Sequence, residues 1–288
     1  MPRARVNGVE LHYDDHGSGQ ALIFIHGGYG GAASTAVTPL EPEVVGAMPA
    51  DRVRTITYDR RNAGRSEYTL EHFTNVDVAE DAIGLLDHLG IASAIVVGSS
   101  AGGPIALQLV LTHPERVSAL CLANTGSYLM SDGRPRSGQF RALVERARTE
   151  GDRAAFESRR EALRKPPALS GPNAANPAAV RRSEAVAAAL ASMSDDELCR
   201  LSSGEIRNLE AAFDLDYSTR LGEIRVPTIV IHGTQDGTVP FAWGEALHAA
   251  IAGSEFVAVE GADHGIFGYE PARDALRRWV EGLLPVRA

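Results

Sequence analysis

Short, continuous apolar runs recur along the chain between stretches of mixed polarity. ALIFI (21–25), VRTITY (53–58), AIVV (94–97) and SALCLA (118–123) lack polar alternation, which marks strands buried on both faces. VPTIVI (226–231) and EFVAVE (255–260) repeat the pattern near the C-terminus. Upstream, RARV and VELHYD flank Asn7-Gly8, a pair that favours a two-residue type I′ turn and so predicts a hairpin. Apolar residues at helical spacing over 76–89 and 101–111 separate the middle strands, and the second helix stops near Pro114. Two more helical patterns, 242–251 and 272–284, surround the last strand. Strands alternating with helices predict an α/β protein with a mostly parallel, doubly wound sheet opened by an antiparallel hairpin.

The alternation is interrupted between 127 and 216. That stretch is rich in Ala, Arg and Glu, contains no convincing strand, and predicts helices near 138–150, 152–164, 177–191 and 195–213, broken by KPPALSGPNAANP. We read it as an all-helical insertion over the strand ends. Net charge is −9, which disfavours nucleic acid and anionic membrane as partners, but residues 131–182 hold twelve Lys+Arg against six Asp+Glu, a local +6. Either this surplus draws an anionic substrate or it is a solvated helical surface. The N-terminus lacks a secretory apolar segment, which predicts a cytoplasmic protein. Cys121 and Cys199 suggest neither a disulfide framework nor a metal site.

The chemistry concentrates in the loops after the strands. Gly98-Ser99-Ser100-Ala101-Gly102 fits G-x-S-x-G between a predicted strand and a predicted helix, where a tight turn exposes the central serine. The plain alternative is a glycine-softened turn with incidental serines. A serine nucleophile needs a base and the base needs an orienting carboxylate. Asp236, after the strand 226–231, and His264, after the strand 255–260, stand in that order on the same sheet edge. The glycine-rich FIHGGYGG offers the Gly28 N–H for a developing oxyanion, with the Ala101 N–H as second donor. Tyr29 and Ser99 are assigned to substrate binding, and Asp263 is expected to point away. Gly28-x-Gly30-x-x-Ala33 also imitates a dinucleotide fingerprint, but Asp59 lies too far along for the ribose partner.

Taken together, HGGYGG, YDRRNAGRS, GSSAGG, TQDGTVP and GADHG resemble the α/β-hydrolase family, lid-containing serine hydrolase branch, over essentially the whole chain. The resemblance implies an eight-stranded, mostly parallel sheet flanked by helices, with an all-helical lid between strands six and seven. It divides the chain into a core, 1–126 and 217–288, and a lid, 127–216. It implies nucleophile Ser100, acid Asp236 and base His264. Asn62 stands where the family often has glycine, and Tyr29-Gly30 replaces the Pro-Gly of proline iminopeptidases. The serine elbow argues against dehalogenase and epoxide hydrolase chemistry, which uses an aspartate nucleophile. Cleavage of a small to medium carboxylic ester or lactone through an acyl-enzyme is therefore expected. The alternatives are carbon–carbon bond hydrolysis of a vinylogous diketone and a non-hydrolytic ligand-binding protein that retains the triad. The expected partner is a small-molecule substrate, with no cofactor and no metal; a homodimer is left open.

Overall fold

The computed structural model describes residues 2–30, 42–130, 137–165, 169, 174, 177–213 and 215–285. Ala33 of the fingerprint imitation and most of the 165–177 breaker lie outside them. Eight strands form one sheet: β1 (Arg3–Val6), β2 (Val9–Gly17), β3 (Gln20–Ile25), β4 (Val53–Tyr58), β5 (Ala94–Ser99), β6 (Val117–Ala123), β7 (Thr228–Gly233) and β8 (Glu255–Val259). Their spatial order is β1-β2-β4-β3-β5-β6-β7-β8. The β1–β2 and β2–β4 pairs are antiparallel and every other pair is parallel. At the first turn Asn7 and Gly8 both have positive φ, 43° and 79°, as a type I′ hairpin requires.

The continuous apolar strands have the predicted consequence, two cores. On β3, Ile23 and Ile25 face one layer, covered by α2 (Asn75–His88), α3 (Gly102–Thr112) and α9 (Phe241–Ala250). Leu22 and Phe24, pointing the other way, join the layer beneath α1 (Pro42–Ala47) and α10 (Glu270–Leu283). Thus α1, which follows β3, and α3, which follows β5, cover opposite faces although β3 and β5 are neighbours. The connections diverge there, opening a crevice at the C-terminal strand ends.

Between β6 and β7 the described residues carry only helices: α4 (Ser137–Glu150), α5 (Asp152–Glu157), α6 (Arg160–Leu163), α7 (Pro177–Ser192) and α8 (Asp195–Ala212). The single helix expected over 152–164 is two, because Arg159 leaves helical geometry (φ −130°, ψ 4°) and its guanidinium bonds to Glu205 on α8. Among the described residues of this stretch, several of the arginines are held in ion pairs. Arg148 binds Glu210, Arg153 binds Asp196 and Arg164 binds Asp195, all acids of α8. These three arginines are therefore engaged by carboxylates of the same insertion. Among the described residues no helix is long and apolar enough to cross a membrane.

Candidate active site

The loop after β5 turns within a few residues into α3, and Ser100 occupies the turn with φ +50°, a left-handed conformation costly for serine. Two glycines make the turn passable. A Cβ on Gly102 would lie 2.1 Å from the Ile25 carbonyl oxygen, and one on Gly98 would lie 2.7 Å from Cβ of Ala106. The Ser100 N–H donates to the Ala123 carbonyl at 2.9 Å, and Thr125 Oγ1 donates to the Ser100 carbonyl at 2.7 Å. Strand β6 therefore fixes the turn from the side.

Asp236 and His264 reach the same point from β7 and β8. Ser100 Oγ is 2.9 Å from His264 Nε2, and His264 Nδ1 is 2.8 Å from Asp236 Oδ2. Since a carboxylate only accepts, Nδ1–H donates to Asp236, leaving Nε2 free to accept the serine proton. The Asp236 carboxylate is fully buried, and its Oδ1 accepts from the N–H groups of Thr238 and Val239 at 2.7 and 2.9 Å. The imidazole of His264 is about one-third exposed, so it faces both the relay and solvent. Such a chain can deprotonate the hydroxyl as it attacks and return the proton to a leaving group.

The Gly28 and Ala101 N–H groups have no acceptor among the described residues. Gly28 follows β3 with φ +71°, and Ala101 caps α3, whose dipole favours negative charge at that end. Tyr29 is buried in an apolar cluster with Ala101, Leu129, Ile206, Leu209 and Val239, its ring edge-on to Phe140 at 5.9 Å. Ser99 ends β5, paired with Ala123. Asp263, as expected, turns from the relay; its Oδ1 accepts the Gly265 N–H at 3.0 Å. Asp59 accepts from Arg65 through both N–H and Nε, so it is engaged within its own loop.

Several functional neighbours escaped the sequence reading. Asn124, fully buried at the end of β6, donates to the Asp263 carbonyl at 2.9 Å and accepts from the Gly233 N–H at 2.8 Å. One side chain thereby ties the loop of His264 to the loop of Asp236. Asn208 of α8 donates from Nδ2 to the carbonyls of Tyr29, Arg61 and Asn62 at 3.0–3.3 Å. His232 is fully buried; its Nε2–H donates to the Val239 carbonyl at 3.1 Å, and Asp236 Oδ2 lies 3.7 Å away. Burial holds its pKa below the ordinary 6.5. His26, also fully buried, is held well below that value for the same reason, and its neutral Nε2 accepts the Arg60 N–H at 3.1 Å.

Known proteins share this architecture. A sequence model described as alpha/beta hydrolase fold matches residues 20–271. The "Putative carbamate hydrolase RutD" of Variovorax paradoxus is 31% identical over 242 residues, 83% of each chain. The protein of the same name from Caulobacter vibrioides is 34% identical over 134 residues, 43% of this chain, and the chain spans 46% of that relative's length. Among solved structures, the enol-lactonase from Burkholderia xenovorans superimposes with a TM-score of 0.70 at 28% identity, covering 98% of this chain and 99% of the other. A family match across nearly the whole chain, an eight-stranded sheet of this order and the loops at its C-terminal edge lead to one conclusion: the chain belongs to the α/β-hydrolase family.

Proposed function

We propose that the protein hydrolyses a small to medium carboxylic ester or lactone through an acyl-enzyme on Ser100. The observation that carries this reading is the Ser100–His264–Asp236 relay, with bonds of 2.9 and 2.8 Å, beside two backbone amides that have no acceptor among the described residues. His264 takes the Ser100 proton as Oγ attacks the carbonyl carbon. The carbonyl oxygen becomes an oxyanion facing the N–H groups of Gly28 and Ala101. Collapse breaks the bond to the leaving alkoxide, which receives the proton from His264 and departs as alcohol. Water, deprotonated by the same imidazole, then attacks the acyl carbon; Ser100 Oγ leaves, takes the proton back from His264, and the acid is released.

Residues 127–216 serve as the lid over a core of 1–126 and 217–288. The packing of Leu129, Ile206 and Leu209 on Tyr29 and Ala101 supports this assignment and an uncharged, apolar acyl group beneath it. Tyr29 and Ser99 belong to the substrate wall. The carbamate hydrolase relatives favour a second reading in which the acyl group is a carbamoyl group, cleaved by the same steps.

A panel of p-nitrophenyl esters from acetate to octanoate, with a p-nitrophenyl carbamate beside it, tests the proposal. Wild type is expected to prefer esters, and Ser100→Ala to lose roughly 10⁴-fold or more in kcat. Undiminished turnover in Ser100→Ala would overturn the role of Ser100; a preference for the carbamate would select the second reading.

A further inference from the structure

Two adjacent arginines follow β4, both almost completely buried and treated differently. Arg61 forks onto the buried carboxylate of Asp81 at 2.6 and 2.5 Å. Arg60, 3% exposed, pairs with no carboxylate among the described residues. Its Nη2 donates to the Gly28 carbonyl and reaches the Gly27 carbonyl at 3.4 Å, while its Nε has no acceptor among the described residues. The Gly27 carbonyl also accepts from His26 Nδ1 at 2.7 Å. Arg60 further lines a cavity of about 10 Å³, large enough for about one water, together with Tyr29, Ala101 and Pro104. The guanidinium thus sits behind the loop that carries the Gly28 N–H and beside the start of α3 that carries the Ala101 N–H. Burial lowers its pKa to about 10, so it remains a cation at neutral pH.

A buried charge without a counter-charge is costly, and a protein that keeps one in place gains if the opposite charge appears during the reaction. The Gly27 carbonyl and the Gly28 N–H belong to one peptide unit. Donors on that carbonyl polarise the unit and strengthen its N–H as a donor. We propose, resting on the acyl-enzyme reading above, that Arg60 is a positioning residue of the oxyanion loop, orienting and polarising the peptides on either side of Gly28 and supplying the buried positive charge that the transition-state oxyanion balances. The effect belongs to the transition state, because a neutral ester brings no charge to the loop when it binds.

The test compares Arg60→Lys, Arg60→Gln and Arg60→Met on p-nitrophenyl acetate, with Ser100→Ala assayed alongside and the melting temperature of each variant recorded. Arg60→Met is expected to lose roughly 10- to 100-fold in kcat with KM within about twofold, somewhat less than deletion of an oxyanion donor itself. Affinity for a phenylboronic acid, which forms an anionic tetrahedral adduct with serine, should fall by the same factor. Arg60→Lys should recover more of the loss than Arg60→Gln, which keeps a donor without the charge. Equal kcat in all variants, or Lys no better than Gln, overturns the proposal. An effect confined to the KM of carboxylate-bearing esters also overturns it, by making Arg60 a binding group for a substrate anion. On the wild type, the Arg60 Nε–H proton resonance should move when the boronate adduct forms and stay in place with a neutral product alcohol. An unmoved resonance contradicts the proposal even if no variant folds. Loss of activity in Ser100→Ala with unaffected Arg60 variants rejects only this inference, whereas full activity in Ser100→Ala rejects the reading beneath it.

Discussion

At the scale of single residues, the site separates three imidazoles by their surroundings. His264 is partly open and lies between a hydroxyl and a carboxylate, whereas His26 and His232 are sealed in and held neutral by burial. Their depressed pKa values have a consequence for stability. In the unfolded chain each histidine titrates near its ordinary value of 6.5, so below that pH the unfolded state binds protons that the folded state refuses. The stabilising contribution is complete above pH 6.5 and is lost as the pH falls toward each folded-state value. Each such group steepens the loss by up to about 1.4 kcal/mol per pH unit. Urea unfolding across pH 7.5 to about pH 5 should show this slope, and His232→Gln, which retains a donor toward Val239, should flatten it. An unchanged slope in that variant would assign the acid sensitivity elsewhere. Asn62 shows the same residue-level logic in the backbone: with φ +58° it fills a left-handed position, and asparagine tolerates that conformation better than most side chains do.

At the scale of elements, α8 has the most to say about function. Its acids take up the arginines of the preceding helices, and its Asn208 pins three carbonyls of the loops after β3 and β4. Asn208→Ala leaves buried carbonyls without their donor, at a cost of about 1–3 kcal/mol. Amide hydrogen exchange should then quicken along α8 while β5 and β6 stay protected, and KM should rise as the apolar wall over Ala101 loosens. Unaltered exchange in α8 would mean that the helix is held by its apolar face alone. The strands were readable in advance because burial on both faces removes polar alternation. The helix α1 was not, since among the described residues near it only Val44 and Met48 are buried deeply and six residues are too few to establish a period. The break before Arg159 was equally hidden, because its cause is an acid on a later helix. Ser100, Asp236 and His264 could be found from local punctuation and chain order. Asn124, Asn208 and Arg60 could not, because their partners are set by the tertiary fold; Asn208 and Tyr29, for example, lie 179 positions apart.

At the scale of the whole molecule, the relay joins positions separated by as many as 164 residues, and the sheet is what makes them neighbours. Three parallel strands, β5, β7 and β8, end at one edge, and Asn124, just past the end of the intervening β6, locks the last two loops together. The crevice opens where α1 and α3 leave toward opposite faces, and Val144, Ile206 and Leu209 of the helices between β6 and β7 cluster with Tyr29 and Ala101. Covalent chemistry at the turn between β5 and α3 underlies the proposed activity. The most direct measurement is rapid acid quench of the enzyme turning over p-nitrophenyl acetate, followed by peptide mass analysis. Acetyl mass on the peptide containing Ser100, accumulating within one turnover and absent from Ser100→Ala, is the predicted result. Turnover with no acyl adduct on Ser100, or an adduct on another side chain that is chemically competent, would contradict it.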